Sequence, residues 1–312
     1  MKMEAETIIT ESLTKFYGKI RGIEDITVRI PSGGVGFLGP NGAGKTTFIR
    51  TLLGIIRPTR GRAQVLGYDI RHEINQVRDR IGYIPEFNTS FIPDTTAMKF
   101  VAFCARMNGL SYAESKQRAS DSLFYVGLGE ERYRKLATFS LGMKQKVKLA
   151  VALVHDPEII ICDEPTNGLD PTGRVQMLEL IRSLQTDEGK NVILSSHLLR
   201  DVEQTTDYAM VISEGKIRAE GNIKELTANR RSTVSVKVKT KTEELLHALE
   251  KRGMEVWIEG AFIEVKTNPD VEKEIFKTAF QIGADIRYIG SRSSTLEDVF
   301  VSLFKEQEAP IQ

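Results

Sequence analysis

A chain of 312 residues is long enough for one large domain or two unequal ones, so forming a core is not the limiting consideration. Forty-three Lys and Arg against forty-two Asp and Glu leave a formal net charge of +1, which excludes a global field drawing the chain to nucleic acid or to an anionic membrane. Cys104 and Cys162 stand far apart without metal or redox spacing, which predicts two buried thiols in a reducing compartment.

The amino-terminal stretch "MKMEAETIITESLTK" is interrupted by charge before any apolar run suited to a signal peptide. Runs such as "LAVALV" and "IIIC" fall far short of the roughly 20 apolar residues that span a bilayer, so a membrane role would need a separate partner. Residues 20–39 predict two strands around "PSGG", the second being "VGFLG", which runs directly into "PNGAGKTTFIRTLLG". This strand, glycine-rich loop and helix satisfy G-x-x-x-x-G-K-[ST] through Gly39, Pro40, Asn41, Gly42, Ala43, Gly44, Lys45 and Thr46, with Thr47 following. Backbone N–H groups freed of Cβ obstruction can curl around phosphate oxygens, and the helix terminus adds partial positive charge. Lys45 is then placed for β and γ phosphates, and the Thr46 hydroxyl for magnesium.

Further strands are predicted at "AQVLGY", "RIGYIP", "EIIICDE", "NVILSSH", "AMVISEG" and "KIRAEG", the signature of an α/β chain with a mostly parallel core sheet. Between them a helical insertion begins near residue 94, its loop and capping signals reaching about 137 and the helical subdomain about 156. Ser111 and Glu114 stand in capping-box register there, with Gly127 after the last apolar position. The segment "FSLGMKQKVKLA" predicts a helix from near Ser140, with Met143, Val147, Ala150, Val151 and Val154 on one face and Lys144, Lys146 and Lys148 as solvated flanks. "EIIICDEPTNGLD" sends a buried strand to a ligand-binding end bearing Asp163, suited to hold magnesium, and Glu164, suited to polarise an attacking water. "NVILSSH" delivers His197 to a similar position.

After "GNIKEL" the pattern becomes β-α-β-β-α-β, matching a small α+β ferredoxin-like unit over 229–312, with a last helix from "TLEDVFVSLF". Polar "TANRRS" marks the boundary with a first domain of 1–228. This second unit holds no catalytic constellation: His247 falls in an amphipathic helix, and Trp257 is expected to pack within a strand.

Lys45, Asp163, Glu164 and His197 in this order, with "SLGMKQ" before the carboxylate strand, resemble the ATP-binding subunits of ABC transporters over about residues 5–225. The resemblance implies a P-loop NTPase fold with an antiparallel β subdomain and a helical subdomain, binding ATP and magnesium and hydrolysing ATP. It also implies roles for particular residues. Tyr17 would stack on adenine, His197 would contact the γ-phosphate, and Asp170, with Leu169, would lie in a loop crossing between partners. Two copies would pair head to tail, each ATP held between one copy's phosphate loop and Ser140 and Gly142 of the other. The chain would sit peripherally on the cytoplasmic face of the membrane, bound to a separate multi-span permease, with no nucleic-acid partner expected.

Three departures stand out. The signature LSGGQ is replaced by Phe139, Ser140, Leu141, Gly142 and Met143, as in one exporter branch. "PSGGVGFLG" is one residue shorter than usual. Glu86 occupies the position of a glutamine that senses magnesium and the attacking water; beside Glu164 and phosphates, like charge should favour its protonated form. Phe87, Phe91, Ile92 and Phe100 follow, where a membrane subunit's coupling helix would dock, with Phe87 and Phe91 expected to be partly exposed. The accessory unit resembles that of prokaryotic exporters. A soluble ABC ATPase acting on ribosomes or DNA, and an importer ATPase with a sensing domain, are the alternatives; the single cassette without coiled coil or zinc motif speaks against the first, and the tail against the second.

Overall fold

Two long strands, β1 (Glu6–Tyr17) and β2 (Ile20–Pro31), pair antiparallel in the computed structural model, which describes residues 6–86, 91–228, 233–266, 270–292 and 296–297. Strand β1 is not evident from the sequence pattern. Its core face is partly threonine, so the usual apolar alternation is masked: Thr7, Thr10 and Thr14 are buried, and the Thr10 hydroxyl donates to the Ile26 carbonyl at 2.9 Å. A positive φ at Ser12 and several register shifts break the period further.

β3 (Gly34–Leu38) leads through the glycine-rich loop into α1 (Lys45–Leu52). β4 (Arg60–Val65) and β5 (Tyr68–Asp69) complete an antiparallel sheet of order β2-β1-β4-β5. Next come α2 (Ile74–Asp79), β6 (Ile81–Ile84), α3 (Ala97–Met107), α4 (Tyr112–Tyr125) and α5 (Leu141–Leu153). Helix α4 starts on the expected capping box, Ser111 and Glu114 bonding each other's backbone N–H reciprocally. β7 (Ile159–Asp163), α6 (Pro171–Thr186), β8 (Asn191–Ser196), α7 (Leu199–Thr205), β9 (Tyr208–Ser213) and β10 (Lys216–Asn222) finish this part.

The central sheet has the order β10-β9-β3-β8-β7-β6, and its β9-β3-β8-β7-β6 pairs are all parallel. Because β3, β8, β7 and β6 run the same way, the loops after all four emerge at one carboxyl edge, where open α/β sheets bind ligands. Helix α1 shares one core with this sheet and the antiparallel sheet: Phe48 and Ile49 pack among Ile8, Ile23, Phe37, Ile161 and Met210. The Phe37 and Phe48 rings meet at 5.2 Å, and burying a ring of that size stabilises by about 2–3 kcal/mol. The phosphate loop is thereby anchored from both sides.

Contacts divide the chain into two units, 1–221 and 222–312. The second opens with α8 (Ile223–Ala228), followed by β11 (Thr233–Val238), α9 (Thr242–Glu250), β12 (Val256–Glu259), β13 (Phe262–Lys266), α10 (Val271–Ile282) and β14 (Ile286–Arg292). Its antiparallel sheet has the order β12-β13-β11-β14, and Val234, Val236, Ile263 and Val265 bury one face against Leu245, Leu249 and Ile275. The expected final helix lies outside the described residues apart from Leu296 and Glu297. Trp257 is on a strand but 38% exposed, so it is less packed than expected, and Cys104 is half-buried while Cys162 is fully buried. No helix among the described residues is long and apolar enough to cross a membrane.

Candidate active site

The turn after β3 is possible because Gly42 (φ 79°) and Gly44 (φ 111°) adopt left-handed backbone. A side chain at Gly44 would also meet the Gly22 carbonyl at 2.5 Å, so β2 presses directly on the loop. Lys45 opens α1 almost fully buried, its Nζ donating to the carbonyls of Gly39 at 2.6 Å and Pro40 at 3.3 Å. Pro40 and Asn41 are exposed, Ala43 is buried, and Thr46 and Thr47 are half-buried on the first turn of the helix. Tyr17, 45% exposed at the end of β1, lies near this turn: a Cβ at Gly22 would stand 2.9 Å from both its ring and Thr47.

β7 delivers Asp163 and Glu164 to the same edge, both buried. Lys45 Nζ stands 3.2 Å from Glu164 Oε1, within ion-pair range though not aligned as a hydrogen bond. The other Glu164 oxygen, Oε2, is 2.8 Å from His197 Nδ1, at the end of β8. A carboxylate only accepts, so the proton of this bond lies on Nδ1 and Nε2 is the nitrogen left for another group. Lys45, Glu164 and His197 thus form one chain of contacts linking the start of α1 to the ends of β7 and β8. Glu164 has φ 49°, a left-handed conformation costly for a residue with a Cβ, and its N–H donates to the Ser195 carbonyl.

Asp163 is fully buried, and its Oδ1 has no hydrogen-bond partner. Burial pushes its carboxyl above the ordinary range, opposed by the Thr46 and Ser195 side chains. An unsatisfied buried carboxylate oxygen beside a threonine hydroxyl is an all-oxygen donor set suited to magnesium. Among the described residues no cluster of three His, Cys, Asp or Glu side chains is built to hold a metal, so phosphates and water would have to complete the shell. Glu86 follows β6 and is partly exposed; burial, then the charges of Asp163 and Glu164, raise its carboxyl above the ordinary value, the direction expected from like charge.

Ser140 caps α5, its hydroxyl accepting from the Met143 N–H at 3.2 Å, and is exposed, with Gly142 half-buried behind it. Leu141 and Gly142 adjoin Gly168 and Leu169, so this helix start and the loop leading to Asp170, the exposed N-cap of α6, lie side by side. One expectation for α5 fails. Lys148 is 4% exposed rather than a solvated flank, and its Nζ donates to the Pro85 carbonyl at 3.2 Å, beside Glu86. The helix packs on two sides, against α4 and the end of β6, so a lysine outside the apolar stripe is buried anyway; burial lowers its pKa. Lys146 keeps a surface role, reaching Gln176 at 3.3 Å. Tyr83 was also missed: its hydroxyl is 3.5 Å from Asp163 Oδ2, and burial with that charge pushes it up to about 12. Only its place two residues before Pro85 on a strand aimed at the site signals it. Phe91 is half-buried, its ring 5.3 Å from that of buried Phe100, and Ile92 is exposed, whereas Phe87 lies outside the described residues.

Comparison with known proteins decides the family. A model of the family described as ABC transporter matches residues 23–167. The bacitracin transport ATP-binding protein BcrA of Bacillus licheniformis is 35% identical over 95% of this chain and 97% of its own. The chain belongs to the ABC transporters, as an ATP-binding subunit. Similarity of this ABC ATPase to the daunorubicin/doxorubicin resistance ATP-binding protein DrrA of Streptomyces peucetius is 31% identity over 95% of this chain and 92% of the other. The dimeric structure of a bacterial ABC transporter cassette superimposes with a TM-score of 0.62 at 25% identity, covering 69% of this chain and 98% of that one. ABC ATPases hydrolyse ATP, and the parallel sheet with its phosphate loop is their fold.

Proposed function

We propose that this subunit drives export, of an antibiotic or similar compound, through a separate membrane permease, by hydrolysing ATP between two copies of itself. The observation carrying the chemistry is the contact chain Lys45–Glu164–His197 at the carboxyl edge of the parallel sheet. Backbone N–H groups from Asn41 to Thr47 cradle the phosphates, Lys45 neutralises the β and γ groups, and Tyr17 is the residue for adenine to stack on. Magnesium, held by Thr46 and Asp163 with Glu86 beside it, would neutralise charge on the phosphate oxygens. Glu164 orients and takes a proton from the attacking water, while His197, fixed through Nδ1 on Glu164, presents Nε2 towards the γ-phosphate.

Ser140 and Gly142 at the exposed start of α5, with the loop to Asp170 beside them, suit contact with the γ-phosphate of an ATP held by the second copy. Hydrolysis removes that bridge and lets the pair open, which is the motion a permease at the cytoplasmic membrane face would use. Export rather than import is supported by similarity running through both units to a bacitracin transport protein and a daunorubicin/doxorubicin resistance protein. The same similarity disfavours a ribosome or DNA function. The carboxyl-terminal unit acts as an accessory domain.

Glu164→Gln tests the chemistry. ATP affinity is expected to stay within about 3-fold while turnover falls by about 100-fold or more, the scale of losing a group that acts only in the transition state. Turnover near the wild-type rate would remove Glu164 from the role.

A further inference from the structure

Behind the catalytic edge lies a buried carboxylate outside the set of groups facing the phosphates. Asp201, in the first turn of α7, is 1% exposed. Its Oδ2 accepts from the Thr166 hydroxyl at 2.9 Å and from the Ser196 hydroxyl at 3.4 Å. Its Oδ1 accepts from Arg174 Nε at 2.7 Å and from Arg174 Nη2. Ser196 Oγ in turn accepts from the Leu198 N–H at 3.0 Å, closing a turn around His197. One carboxylate therefore gathers donors from three segments: the loop after Glu164, the residue before His197, and the first turns of α6 after Asp170.

We propose that Asp201 and Arg174 are a positioning pair that holds Glu164, His197 and the Asp170 loop in one register. Glu164 sits two residues before Thr166 in a left-handed conformation that its neighbours must over-determine. Thr166 is buried and pinned to Asp201, and the Thr166 carbonyl accepts from the Leu169 N–H at 3.2 Å, so the pin extends to the residue before Asp170. The Arg174 N–H donates to the Asp170 carbonyl at 2.9 Å, fixing the same loop from the helix side. A shift of either loop would misalign the 2.8 Å contact between Glu164 and His197. Arg174 matches the carboxylate with two N–H groups, a geometry that lysine cannot reproduce. The pair touches no reacting atom; it acts through the residues it aligns.

This inference rests on the roles given to Glu164 and His197, and steady-state kinetics on the full-length chain with ATP separate the two ideas. Asp201→Asn and Arg174→Met are expected to lower kcat by about 10- to 100-fold, the scale of a sub-ångström to ångström misplacement, with ATP affinity within about 2-fold. Arg174→Lys should recover only part of the loss. Thr166→Val removes one donor and leaves the Arg174 pair intact; its expected loss is about 3- to 10-fold in kcat alone, and it decides the matter if Asp201→Asn does not fold. Wild-type kcat in Thr166→Val and Arg174→Met, or loss of kcat and ATP affinity in parallel, would overturn the proposal. Full turnover in Glu164→Gln would instead overturn the reading of the site itself.

Discussion

At the scale of single residues, charge at the catalytic edge is the governing quantity. Lys45 is buried against two carbonyls and Glu164, so its ammonium is positioned without help from solvent. Lys45→Ala is expected to weaken ATP binding itself by at least about 10-fold, the worth of a charge-assisted phosphate contact, as titration with ATP would measure. Glu86 behaves oppositely. Its carboxyl is raised above the ordinary 4.5 because burial and two neighbouring carboxylates disfavour its charge. A carboxyl raised in the folded state costs stability once it is ionised and is relieved as pH falls. Glu86→Gln should therefore raise the melting temperature at neutral pH, and the difference should vanish as pH drops below about 4.5. A variant no more stable than wild type at neutral pH would contradict that electrostatic reading.

Helix α5 shows how an element can be legible at one end and opaque further along. Its start was readable because a serine cap three residues before a free N–H is a local pattern, and Ser140 does accept from Met143. Ser140→Ala should cost about 1 kcal/mol, which calorimetry would detect as a melting temperature about 2–4 °C lower. Lys148 was not legible, because what buries it is the end of β6, more than sixty residues away. Its pKa is lowered by burial from the ordinary 10.5, so the folded chain sheds the proton first and stability from this site rises with pH towards that value. Denaturation of wild type and Lys148→Met should accordingly diverge in favour of wild type as pH climbs from neutral towards the lysine range; parallel curves would contradict this. Strand β1 is hidden for a related reason, since Thr7, Thr10 and Thr14 look polar in sequence and find their hydrogen-bond partners, carbonyls and N–H groups alike, mostly on the neighbouring β2.

Over the whole molecule, the parallel order β3-β8-β7 brings together residues that the sequence holds more than 150 positions apart. Lys45 is legible from the glycine-rich motif that precedes it, Asp163 and Glu164 from the apolar run before them, and His197 from its order among the others. Their mutual contacts, and the Asp201 cluster behind them, depend on which strands become neighbours, and no short pattern encodes that. The face carrying exposed Ser140 and Asp170, with half-buried Leu169 between them, is the complement such a site requires from a second copy. Sedimentation of Glu164→Gln, measured with magnesium and either ATP or ADP, tests this pairing most directly. ATP is expected to double the sedimenting mass, ADP to leave it unchanged, and added Ser140→Arg to restore the single-copy mass. A Glu164→Gln chain that stays single in saturating ATP, or pairs equally well in ADP, would contradict it.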